Sequence, residues 1–168
     1  KLYNIKCGGA ASSIHRRIKM AASLAFTSAG TTLSISAAAP ATYNAVGFAA
    51  LTWTEIGEVS DLGEFGRQYN LVTFNTLGNR RTVKRKGSYN DGTIAAQMAR
   101  APSDAGQTIL TAAVDSDASY SIKVVLQDGT IFYTTAQVMS YTTNVGNVDQ
   151  ITSATVNLEI DNDIVEVP

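Results

Sequence analysis

The chain has 168 residues, a formal net charge of −1 and only 16% charged residues, with a single cysteine and a single histidine. That length supports one domain with a core of its own, while the residue counts exclude a disulfide framework, a multi-cysteine zinc site, a histidine triad and a multi-histidine metal centre. No uncharged apolar run of about 18 residues occurs, so no helix is expected to span a membrane.

Residues 1–19 differ in character from the rest of the chain. Lys1, Lys6, Arg16, Arg17 and Lys19 give this stretch five basic residues and no acid. Cys7–Ser13 is small and polar, which does not fit the apolar core of a secretory signal. The segment reads as an upstream extension or as an arm that becomes ordered only against a neighbour. Residues 20–168 then form a single domain.

Within that domain, Thr31–Ser36 alternates around Leu33 and Ile35 and predicts a first strand. An irregular link occupies residues 37–48. Trp53, Glu55 and Gly57 alternate with Thr54, Ile56 and Glu58 as a second strand containing the tryptophan, and D-L-G-E-F-G makes a glycine-spaced turn. Tyr69–Thr76 is strand-like. The stretch from about 76 to 92, T-L-G-N-R-R-T-V-K-R-K-G-S-Y-N-D-G, is basic and rich in turn residues, and reads as a loop or exposed hairpin projecting from the body. Thr93–Arg100 is helix-favouring in composition but short and bounded by turn residues, and is assigned as a strand running into the next element.

That element is a helix over about 103–114, with Ser103 as its cap, Asp104 at its positive end and Ile109, Leu110, Ala113 and Val114 as an apolar stripe. Tyr120, Ile122, Val124 and Leu126 alternate as a strand. Asp128-Gly129 is expected to supply two positive-φ positions of a tight turn, and Thr130–Ser140 returns antiparallel. Gln150–Ile160 alternates again, and the tail D-N-D-I-V-E-V-P extends it or lies on a neighbour. The expectation is an α+β chain, mainly antiparallel β, with six or seven strands and one flanking helix packed on a hairpin.

Catalytic chemistry finds little footing. Cys7 lies in the basic first segment with no sign of a pocket, and His15 reads as a solvated or interface residue. Glu55, Glu58, Asp61 and Glu64 offer carboxylates for acid–base work, but their three-residue spacing across a strand end and turn describes a solvated acidic rim. Asp115, Asp117 and Asp128 lack the spacing of a calcium loop, and no phosphate-binding glycine loop is present. No cofactor or metal is expected.

The basic run Arg80, Arg81, Lys84, Arg85 and Lys86 stands out, with Tyr89 close by. A nucleic-acid patch would use these residues on phosphates, but the chain is slightly acidic and lacks interleaved aromatics. Self-association accounts for more, because an acidic surface for the basic run exists in the chain's own Glu55, Glu58, Asp61 and Glu64. The low overall charge fits, since poorly protected strand edges suit an assembly that covers them.

Taken in order, G-T-T-L-S-I-S, W-T-E-I-G-E-V-S-D-L-G-E, K-G-S-Y-N-D-G, D-A-G-Q-T-I-L-T-A-A and D-G-T-I-F-Y-T-T-A-Q-V-M-S resemble the major tail tube proteins of long-tailed, siphophage-type bacteriophages with non-contractile tails. The resemblance covers roughly residues 20–160. It implies a β-sandwich or barrel-like tail tube fold with one flanking helix, and a virion protein without enzymatic activity, assembled in the host cytoplasm. Copies of the chain would form hexameric rings, stacked into the tube through which DNA enters the host. Implied partners are the chain itself, the tape-measure protein and transiting DNA in the lumen, and tail terminator and distal tail proteins. The 76–92 loop would occupy the inter-ring position, its basic residues meeting acids of an adjacent ring. The lumen should be neutral or acidic, with Arg80–Lys86 kept out of it. The other reading is a β-sandwich binding module of a tail, serving in completion, a baseplate or adhesion.

Overall fold

The computed structural model describes residues 25–168; the 1–19 segment, with Cys7 and His15, lies outside the described residues. In chain order the elements are β1 (Thr32–Ser36), α1 (Ala45–Ala49), β2 (Thr54–Ile56), β3 (Val59–Asp61), β4 (Gln68–Phe74), β5 (Val83–Asn90), β6 (Thr93–Ala99), α2 (Ala105–Ala113), β7 (Tyr120–Val125), β8 (Ile131–Asn144), β9 (Ser153–Ile160) and β10 (Val165–Val167). The described residues thus hold ten strands and two helices, more than the alternation alone predicts, because three-residue strands carry too few residues to show a period.

An antiparallel sheet runs β2-β1-β7-β8-β9-β6-β3, with β10 also paired to β8. β8 is its spine: residues 131–136 pair with β7, residues 136–144 pair with β9, and β10 continues beside residues 131–133. The two ends of this path, β2 and β3, are consecutive in the chain and separated only by Gly57 and Glu58. Two residues of chain span about 10 Å at most between flanking strand ends. The sheet must therefore curl until its edges come together, and this produces the barrel-like body from an open ladder. Glu58 takes φ 61 at the corner, a conformation costly for a residue with a Cβ. The corner also splits the single strand expected around Trp53, which lies just before β2.

The curled inner face collects Leu33, Ile35, Ile56, Ile94, Met98, Ile122, Val124, Val156 and Leu158, all at most 2% exposed. Cross-strand register brings them together, as in Leu33 opposite both Ile56 and Val124, and Ile94 opposite Leu158. Helix α2 closes this face with Leu110 and Ala113. Its cap is Asp104, whose Oδ1 accepts from the Gln107 amide at 2.8 Å, in place of the expected Ser103. Asp104 wins because its Oδ2 also accepts from the Gly57 amide at 3.3 Å, tying the helix start to the corner. Gly106 lets the helix approach β2: a Cβ there would stand 2.5 Å from the Glu55 carbonyl oxygen. Gln107, 2% exposed, donates to the carbonyls of Gly57 and Ala99 and accepts from the Ala101 amide.

The opposite face carries a small aromatic cluster, with Phe48 stacked on Tyr133 at 5.4 Å and Trp53 at 5.7 Å from the same ring. Phe48 belongs to α1, where an irregular link was expected. Asn44 caps this helix by accepting from the Gly47 amide, and Trp53 Nε1 donates to the Phe48 carbonyl. The β7–β8 turn also differs from expectation. Only Gly129 has positive φ (94°); the Leu126 amide donates to Thr130 and the Gly129 amide to Leu126. A turn of ordinary hand followed by one left-handed glycine closes this hairpin. The tail pairs with β8 through Val165–Val167.

Candidate assembly surface

β4 and β5 pair only with each other, as a two-stranded ribbon outside the main sheet. All seven residues of β4 are exposed, and all of β5 except Gly87. The basic residues sit on it in register: Lys84 opposite Thr73, Arg85 opposite Val72, and Lys86 opposite Leu71 with its Nζ 4.4 Å from the Tyr69 ring. Arg80 and Arg81 stand in the connection, where the Arg81 amide donates to Asn79 Oδ1. Residues 68–90 thus carry five basic side chains and no acid.

The ribbon also exposes Leu71 (64%), Val72 (52%), Phe74 (66%), Leu77 (109%) and Val83. These apolar residues were not among the predicted contact positions. In the sequence, their alternation reads as a strand half-buried on its own sheet. A two-stranded ribbon has no second layer, so both its faces meet solvent or a partner.

At its base the ribbon is fastened to the body by charge. Arg67 makes a bidentate pair with Asp91, Nε to Oδ1 at 2.9 Å and Nη2 to Oδ2 at 3.3 Å, and reaches Asp163 at 2.5 Å. Its guanidinium lies 4.2 Å from the centre of the Tyr89 ring, and the Tyr89 hydroxyl donates to the same Asp163 oxygen. Asp91 is 6% exposed, so its charge depends on this partner. Hydrogen bonding to Asp91 holds the Arg67 proton still more firmly than usual, and the bond to Asp163 pushes the Tyr89 phenol above its ordinary range. No local motif marks this cluster, since Arg67, Asp91 and Asp163 are far apart in the chain. It is the only set of ion pairs among the described residues.

The acidic residues lie elsewhere. Glu55 is on β2, Glu58 at the corner, Asp61 at the end of β3 and Glu64 just beyond, all exposed. They do not converge with one another on a cavity, and none pairs with Arg80, Arg81, Lys84, Arg85 or Lys86 within the described residues. An open surface groove of about 690 Å³ is lined by Gly63–Gln68, Gly92, Thr93 and Ala95. The site is thus a contact surface in form: an exposed ribbon, apolar and basic, on a rigid mount.

A family model described as phage tail tube protein matches residues 11–167. The chain belongs to the phage tail tube protein family. It is a structural component of the tail tube, and so of the virion. No curated protein matches the chain in sequence. Among solved structures, a chain of the anti-feeding prophage baseplate is similar in fold, with a TM-score of 0.61 at 9% identity, covering 82% of this chain and 90% of that one. A chain from the sheath/tube terminator of a PVC extracellular contractile injection system gives 0.61 at 12%, covering 88% and 100%. The tail tube of SPP1 gives 0.56 at 12%, covering 81% and 75%. The α+β tail tube architecture is therefore shared at identities where only the fold is retained.

Proposed function

We propose that this tail tube protein forms hexameric rings that stack into a non-contractile tube, the conduit for DNA into the host, and that it performs no catalysis. The observation that carries the proposal is the β4–β5 ribbon, with five basic residues and a row of apolar ones left bare in the single chain. A monomer gains nothing from that exposure, whereas a neighbouring copy covers it. The acids Glu55, Glu58, Asp61 and Glu64 supply opposite charge on another part of the surface, which steers and registers copies more than it adds affinity. The ribbon, Gln68–Asn90, takes in most of the projecting region expected at about 76–92.

The solvent face of β8, β9 and β6 suits a lumen. Gln97, Gln137, Thr155, Asn157 and Glu159 lie on it in register, with no basic residue among them to hold a phosphate backbone. The tape-measure protein and transiting DNA would pass along this face. Structures named for a tube terminator, a tube-terminating cap and a baseplate share the fold, which supports terminator and distal tail proteins as partners at the two tube ends.

Negative-stain electron microscopy of the purified chain at several concentrations tests the proposal. Rings or hollow tubes are the expected result. Small discrete particles at every concentration, with residues 1–19 present or removed, would overturn it and favour a tail binding module.

A further inference from the structure

The β6–β9 pair gives the subunit two distinct ends. Thr93 is opposite Glu159 at one end and Ala99 opposite Ser153 at the other, the first and last of seven residue pairs. At ~3.3 Å per residue the ends are about 20 Å apart. The ribbon is mounted at the first end, since Asn90 and Asp91 lead directly into Thr93 and Gly66 donates its amide to the Asp91 carbonyl. At the second end lies the turn joining β8 to β9. Here the Arg100 amide donates to Thr152 and the Ala99 amide to Glu58, which brings the acidic corner alongside.

That turn has its own unexplained surface. Val145, Val148 and Ile151 are 68%, 101% and 80% exposed. The turn is not loose. Gln150 donates its amide to Asn147 O and accepts from the Asn147 amide, Asp149 donates to Asn147 Oδ1, and Gly146 donates to Asn144 Oδ1. Apolar side chains held on a preformed turn lose little freedom on binding. Residues 144–152 contain Asp149 and no basic residue, and Glu58 and the exposed Arg100 are close by, whereas every charged residue of the ribbon is basic.

We propose that the β8–β9 turn is the docking surface for the β4–β5 ribbon of another copy of the chain. The inference rests on the reading of the chain as a self-stacking tube subunit, and specifies which surface receives the ribbon. Donor and receiver lie at opposite ends of one strand pair, so the contact is head-to-tail and propagates along a line instead of closing as a two-fold dimer. Val145, Val148 and Ile151 meet the apolar ribbon residues around Leu77, while Asp149 and Glu58 face Arg80 and Arg81.

The test uses the full chain with Cys7→Ser, carrying Leu77→Cys, Val148→Cys or both, assembled and treated with a bifunctional maleimide. Both positions are fully exposed, so neither substitution touches the core. The double variant is expected to give a ladder of covalent oligomers, and each single variant no more than dimers. Tubes visible by microscopy without the ladder would overturn this docking surface while leaving the tube reading intact. Absence of tubes from the unsubstituted chain would overturn both. As a second measurement, Val148→Asp with Ile151→Asp is expected to leave the thermal midpoint unchanged and to shorten tubes to isolated rings or subunits; full-length tubes from this variant would overturn the docking surface.

Discussion

Arg67 joins the ribbon to the body more directly than any other side chain, because it alone pairs with a nearly buried carboxylate, a second carboxylate and an aromatic face. Arg67→Ala is expected to leave Asp91 unpaired and to release the ribbon. Hydrogen exchange should then accelerate in β4 and β5 while amides of β6, β8 and β9 keep their protection. Tyr89 adds a pH dependence. Its phenol is raised in the folded state, chiefly by the bond to Asp163, so the folded state favours the protonated form. The associated stability is present below the ordinary phenol value of about 10 and falls as pH climbs through the raised one. Thermal midpoints measured from neutral to alkaline pH should therefore fall less steeply for Tyr89→Phe than for the unsubstituted chain above that value.

At the scale of elements, α2 is placed by close approach as well as by its apolar stripe. Gly106→Ala improves intrinsic helix propensity by about 1 kcal/mol, yet its Cβ would meet backbone of Glu55 and Ile56 at 2.5 and 2.8 Å. Overpacking of that kind costs about 1–3 kcal/mol, so urea unfolding should show a net loss. The cap separates the two candidates at the helix start. Asp104→Ala should cost about 1–2 kcal/mol, whereas Ser103→Ala should change stability by less than about 0.5 kcal/mol. Adjacent acceptors of similar preference cannot be ranked from sequence; the Gly57 amide, brought in by the corner, decides between them.

For the whole molecule, folding and assembly draw on separate residues. The core is the curled inner face, while Arg80, Arg81 and Lys84 stand in solvent. Reversing those three to glutamate should leave the unfolding midpoint unchanged and abolish tubes in electron micrographs. Screening over about 10 Å at 0.1 M salt weakens exposed charge pairs, so added salt should slow assembly of the unsubstituted chain. The apolar ribbon residues are insensitive to this screening and should keep formed tubes intact.

Alternation in β1, β7 and β9 was enough to read these strands and their buried sides, β6 was assigned only from its shortness and its flanking turn residues, and capping chemistry with an apolar stripe was enough for α2. Those signals are local, because strand period and helix start depend on residues within a few positions of each other. The basic run and the acids were legible as exposed surface charge from their placement in the sequence. What only tertiary structure decided was everything that depends on distant residues meeting: the edge-to-edge corner at Gly57-Glu58, the choice of Asp104 as cap, the Arg67–Asp91–Asp163 mount, and the exposure of Leu71, Val72 and Phe74. An alternating strand carries the same pattern whether its apolar side meets a core or the next molecule, and only the layer packed against it, or the lack of one, tells the two apart.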